Sequence, residues 1–173
     1  PVEWKENMPD GTYAPMDFFG GTLKGIEEKL DELKALGVTV LYLNPITECA
    51  SNHRYDTSDY LKVDPILGSN EDLTQLCEKA RSLGIRVMLD GVYSHTGDDS
   101  VYFNRYRHFD SIGAYQGTDS PYFNWYTFEH FPDKYRCWWG FTTMPECRKN
   151  DPDYQAFMFN PQAGIIPRWI RAG

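Results

Sequence analysis

Two nine-residue stretches, ALGVTVLYL (residues 35–43) and SLGIRVMLD (residues 82–90), are built alike. In each, a glycine follows an amphipathic stretch and opens an apolar run. Ahead of Gly37, Ile26, Leu30 and Leu33 recur at helical spacing among charged residues. Ahead of Gly84, Leu73, Leu76, Cys77, Ala80 and Leu83 form one stripe, and Ser69-x-x-Asp72 opens it as a capping box would. The run Val38–Ile46 is apolar nearly throughout, as in a strand covered on both faces. Helix, glycine and parallel strand, used twice, predict an α/β fold.

The rest of the chain is less regular. Residues 1–20 are rich in Pro and Gly, and Thr47 to Asp64 reads as a polar loop. From Tyr102 to Phe141, 15 of 40 residues are aromatic with little periodicity, which predicts an inserted, loop-rich domain. The stretch GIIPRWIRAG then returns to a helical pattern. The expected division is 1–99 for the α/β part, 100–160 for the insertion and 161–173 for the start of a return to the α/β part. Pro1 stands without an initiator Met, and Gly173 falls where the two earlier joints would start a third strand. Both read as the ends of a fragment.

Composition narrows the partners. A net charge of −8 and a pI near 4.9 argue against nucleic acid, which needs a basic patch, and favour an uncharged ligand. No apolar run is long enough to span a bilayer, so no membrane partner is expected. The four cysteines show no CxxC spacing, so no zinc site is expected. Cys137 and Cys147 would pair only in an oxidising compartment, and free thiols are favoured.

Candidate site residues gather at strand ends, where parallel α/β folds bind ligands. Asp90 closes the second apolar run and His95 follows in RVMLDGVYSHTG. Either alone would read as a turn residue; two polar groups at one strand end favour function. After the first run, NHRYDTSDY displays Tyr55, whose flat ring and polar tip suit stacking on a sugar, while Asp56, Thr57 and Ser58 shape the turn. Most rings of the insertion are expected to fill its core, with Trp138, Trp139 and Phe141 of CWWGF lining a carbohydrate groove. Gly20-Gly21 follows no predicted strand, so a phosphate loop is not matched.

Together, GVTVLYLNPI, HRYDTSDY and DGVYSH resemble the α-amylase family of glycoside hydrolases, family 13. FFGGTLKGI, WWGF and MPE resemble its neopullulanase, cyclomaltodextrinase and maltogenic amylase branch. The resemblance implies a partial (β/α)8 TIM barrel, with VTVLYLNPI as strand 2, IRVMLDG as strand 3 and the aromatic insertion as the domain after strand 3. It implies that His95 donates a hydrogen bond to the sugar at the cleavage point and that Asp90 supports an arginine of the next strand. Tyr55 would stack on the same sugar. It also implies a retaining mechanism, which needs two carboxyl groups about 5–5.5 Å apart. The family carries its nucleophile and acid on strands 4 and 5, past Gly173, so Glu48, Asp56, Asp59 and Asp90 read as structural.

The sequence departs from the family in two places. Ser94 replaces an asparagine that in many members helps bind calcium, so no cofactor is expected here, while calcium stays open for the parent protein. MPECR stands where MPKLN is usual, which leaves the local substrate preference open. The expected function is that of a fragment of an α-glucan-active hydrolase or transglycosylase, inactive alone, with starch, pullulan, cyclodextrin or maltooligosaccharide as ligand. The alternative is a non-catalytic carbohydrate-binding or scaffold homologue. Two parallel strands cannot close a barrel, so self-association or domain swapping through their edges is expected. The compartment is left open, with the cytoplasm favoured for this branch.

Overall fold

The computed structural model describes Phe18 and residues 20–173, so most of the irregular stretch expected over 1–20 lies outside the described residues. In chain order the elements are α1 (Leu23–Glu28), α2 (Leu30–Ala35), β1 (Val40–Leu43), β2 (Thr47–Cys49) and β3 (Thr57–Val63). There follow α3 (Asn70–Ser82), β4 (Arg86–Leu89), β5 (Phe128–His130), β6 (Lys134–Tyr135), α4 (Pro152–Phe159) and α5 (Ile165–Ala172).

The repeated joint is present. Gly37 and Gly84 end their helices at φ +86° and +73°, a left-handed conformation that glycine adopts without strain. The runs that follow pair in parallel, from Val40 opposite Arg86 to Leu43 opposite Leu89. The Asp90 N–H extends this ladder to the Leu43 carbonyl at 3.0 Å. The α3 capping box has both bonds: Asp72 N–H donates to Ser69 Oγ at 3.1 Å, and Ser69 N–H to Asp72 Oδ2 at 2.8 Å. Leu73, Leu76, Cys77 and Ala80 are buried with Leu23, Leu30 and Ile85.

The strand covered on both faces is not what forms. Leu41, Leu43, Val87 and Leu89 pack onto the helices, while Val40, Tyr42 and Met88 are 44%, 58% and 52% exposed. Side chains alternate along a strand, and among the described residues helices cover only one face of this pair. The loop expected over Thr47–Asp64 also contains an antiparallel pair, β2 with β3. Thr57, Ser58, Asp59 and Tyr60 of β3 are all buried.

The aromatic stretch packs its rings on one another. Phe103 lies 4.8 Å, centroid to centroid, from both Tyr126 and Tyr135, and Tyr102 packs 5.3 Å from Trp125. This cluster reaches beyond residues 100–160, taking in Tyr60 from β3 and Ile165 from α5. Trp169 of α5 touches both cores, and its indole N–H donates to the Tyr60 carbonyl at 3.1 Å. All four cysteines are free thiols. Cys137 lies opposite Pro145 and Cys147 opposite Tyr126, and burial pushes the Cys147 thiol up to about 12.

Candidate functional site

The segment after β4 has few backbone partners of its own, and distant groups hold it in place. The Tyr60 hydroxyl sits 2.7 Å from the Val92 carbonyl and 2.9 Å from that of His95. The Tyr154 hydroxyl donates to the Tyr93 carbonyl at 2.7 Å. Gly97 N–H donates to Thr57, and a Cβ on Gly97 would lie 2.6 Å from the Asp56 carbonyl, so only glycine fits this crossing. The MPECR segment runs alongside: Thr96 N–H donates to Pro145, and Cys147 N–H to Ser94. Each bond satisfies a main-chain group that burial would otherwise strand.

This scaffold brings the sequence-derived candidates together. The Tyr55 hydroxyl donates to Asp90 Oδ2 at 2.9 Å, and this bond raises the pKa of the phenol. His95 Nε2 lies 2.8 Å from the Tyr55 carbonyl. Trp138 packs against the His95 ring at 5.3 Å, and Trp139 and Phe141 stack on Trp138 at 5.4 and 6.3 Å. Trp139 is 84% exposed and adopts φ +51°, ψ +25°, a conformation that bulky residues rarely take. A large ring shown to solvent on a strained backbone is a mark of functional sites.

His95 is placed differently from what the resemblance implies. It is 3% exposed, both ring nitrogens have protein partners, and burial lowers its pKa. It acts here as an internal tie beneath the rim rather than as a free donor. Asp90 remains partly open and takes its bonds from tyrosines.

Three contributors were missed in the sequence. Tyr42, on the open face of β1, also faces the Asp90 carboxylate, which raises the pKa of its phenol. Strand parity from Val40 would have placed it there. His53 stacks on Tyr55 at 6.3 Å, and its Nδ1 accepts the Tyr55 N–H at 3.1 Å. Arg54 is buried at φ +73°, and its guanidinium donates to the carbonyls of Pro45 and Thr47 and to Asp64 Oδ2 at 2.9, 3.0 and 2.7 Å. No sequence signal separates this arginine from an exposed loop residue.

The Ser94 hydroxyl is engaged by His95, and among the described residues no three His, Cys, Asp or Glu side chains gather.

A neutral rim of aromatic faces and phenol hydroxyls suits a polyol. The catalytic-domain family of alpha-amylase matches residues 1–165. This chain belongs to the alpha-amylase family. It is 46% identical over 173 residues to an amylopullulanase of Thermoanaerobacterium saccharolyticum, covering 93% of this chain and 13% of that protein. A cyclomaltodextrinase of Geobacillus thermopakistaniensis is 38% identical, with 86% of this chain and 22% of the relative covered. The cyclic alpha-maltosyl-(1→6)-maltose hydrolase of Arthrobacter globiformis, solved with that sugar, superposes with a TM-score of 0.81 at 34% identity. The match covers 99% of this chain and 38% of that one. The chain thus spans a minor part of each of these three enzymes.

Proposed function

We propose that the chain supplies part of the sugar-binding floor of an α-glucan-active glycoside hydrolase. In this reading β1 and β4 are the second and third strands of a (β/α)8 barrel, and the aromatic segment over 100–160 is the domain that protrudes after strand three. The observation that carries it is the exposed ring surface of Tyr55, Trp138, Trp139 and Phe141, joined through His95 and Asp90 at the carboxyl end of the parallel pair. Ring faces contribute apolar contact to the C–H faces of glucose, and the Tyr42, Tyr55 and Asp90 oxygens offer hydrogen bonds at the edge.

Bond cleavage belongs to groups outside this chain. A retaining glycosidase needs a nucleophile and a general acid facing one another across the bond. Here Asp56 is bonded by Ser51, Asp64 by Arg54, Asp59 by Lys62 and the Leu61 N–H, and Asp90 by Tyr55, while Glu48 lies 3.7 Å from the Lys62 ammonium. The chain alone therefore binds sugar without hydrolysing it. A carbohydrate-binding homologue without chemistry would share the rim; the activities named for the relatives favour the hydrolase. Isothermal titration tests the reading: maltohexaose binds, cellohexaose binds far more weakly, and Tyr55→Ala abolishes the difference. Equal heats for the two sugars would overturn it.

The unpaired outer edges of β1 and β4 support association of the chain with a second copy. Apolar grooves of about 440 and 350 Å³ flank the pair, one lined by Leu23, Ile26 and Leu43, the other by Cys77, Val87 and Trp169. Sedimentation velocity should show mass rising with concentration, and a strict monomer would exclude association.

A further inference from the structure

Because a carbonyl oxygen can only accept, the 2.8 Å contact between His95 Nε2 and the Tyr55 carbonyl requires the proton on Nε2. A neutral ring then has a bare Nδ1, and the group facing it is the Ser94 hydroxyl at 2.9 Å. The Ser94 main chain is fixed, since its carbonyl accepts the Cys147 N–H at 2.9 Å, and the His95 carbonyl is held by Tyr60. Trp138 covers the ring from the side of the insertion. The hydroxyl rotor of Ser94 is thus the one adjustable element in a chain of contacts running from MPECR to the loop that carries Tyr55.

We propose that Ser94 is a positioning residue: its hydroxyl donates to His95 Nδ1, fixes the Nε2–H tautomer and thereby clamps the main chain under the Tyr55 ring. The consequence for sugar binding rests on the function proposed above; the tautomer itself does not. Losing the hydroxyl leaves a buried acceptor unpaired and removes the bond that favours the neutral ring. The Tyr55 carbonyl alone then holds the Nε2–H form, and the ring loses the contact that fixes its tilt beneath that carbonyl. Asp56 and Glu146 also face the imidazole and favour its charged form, and His53 opposes it. Protonation is therefore more accessible once Ser94 stops donating.

Long-range proton–nitrogen NMR of the whole chain, without sugar, reads the tautomer directly. The wild type and Ser94→Thr should show a single Nε2–H form. Ser94→Ala should keep Nε2–H as its neutral form, with broadened ring resonances and a His95 pKa raised by about half a unit or more. A maltohexaose titration on the same samples should give a dissociation constant several-fold higher for Ser94→Ala alone. An Nδ1–H tautomer in the wild type, or a Ser94→Ala ring with unchanged line widths and pKa, overturns the proposal. If the tautomer behaves as stated but the wild type binds no maltohexaose, the clamp stands and the sugar reading falls.

Discussion

Replacing Arg54 by Met keeps most of the aliphatic stem and removes every donor, which makes it the sharpest test of how the Tyr55 loop is held. The guanidinium is 8% exposed and bonds three acceptors. After the change the Pro45 and Thr47 carbonyls lose these bonds. Asp64, 5% exposed, keeps only the N–H groups of Ile66 and, at 3.4 Å, Cys49. Removing one partner of a buried ion pair costs about 3–5 kcal/mol, because the remaining charge is left without compensation. Domains of this size have about 5–15 kcal/mol in total, so the variant should be folded but plainly weakened. Urea denaturation at pH 7 measures the loss as a lower midpoint at unchanged slope. The double variant Arg54→Met, Asp64→Asn removes the stranded charge and should recover about 1–2 kcal/mol, within the range of coupling between contacting residues. A single-variant loss under about 1 kcal/mol, or a double variant weaker than the single, would refute the argument that this pair anchors the loop.

Three other expectations follow from the same structure. Phe103→Ala removes a fully buried ring from the aromatic core and should cost about 3–5 kcal/mol by the same urea assay, with sugar affinity in the folded protein little changed. Trp139→Gly relieves a left-handed backbone while uncovering one face of the half-exposed Trp138, so stability should fall by no more than about 0.5 kcal/mol. The maltohexaose dissociation constant of that variant should rise about tenfold by titration calorimetry, about 1.4 kcal/mol. His95 has a pKa lowered by burial, so the unfolded chain binds the extra proton first. Stability should drop as pH falls from 6.5 through the lower folded value. Asp98, raised by burial, acts with the opposite sign, so the comparison to make is wild type against His95→Gln, which should flatten that slope.

The parts legible in the sequence were those set by local spacing. The glycine joints, the Ser69–Asp72 box and the stripe on α3 depend on neighbours a few residues away. On β1 an apolar run says that side chains avoid water in the finished fold, and among the described residues helices cover only one of its faces. The β2–β3 pair was hidden by its own polarity: Asp59 and Ser58 are buried through bonds to Lys62, Leu61 and Asp99 that no pattern of apolar residues announces. At the site, Tyr55, Asp90 and the tryptophan turn were identifiable by residue type. The burial of His95 was not, since Tyr60 and Trp138 enclose it from 35 residues before and 43 after.

The most direct test of the sugar-binding rim is a crystal structure of the chain soaked with maltotriose. One glucose unit should lie flat on the Tyr55 ring, with an edge toward Asp90 and the chain running on toward Trp139. A trisaccharide bound elsewhere, or a Tyr55–Trp139 surface left bare at saturating sugar, would contradict the account.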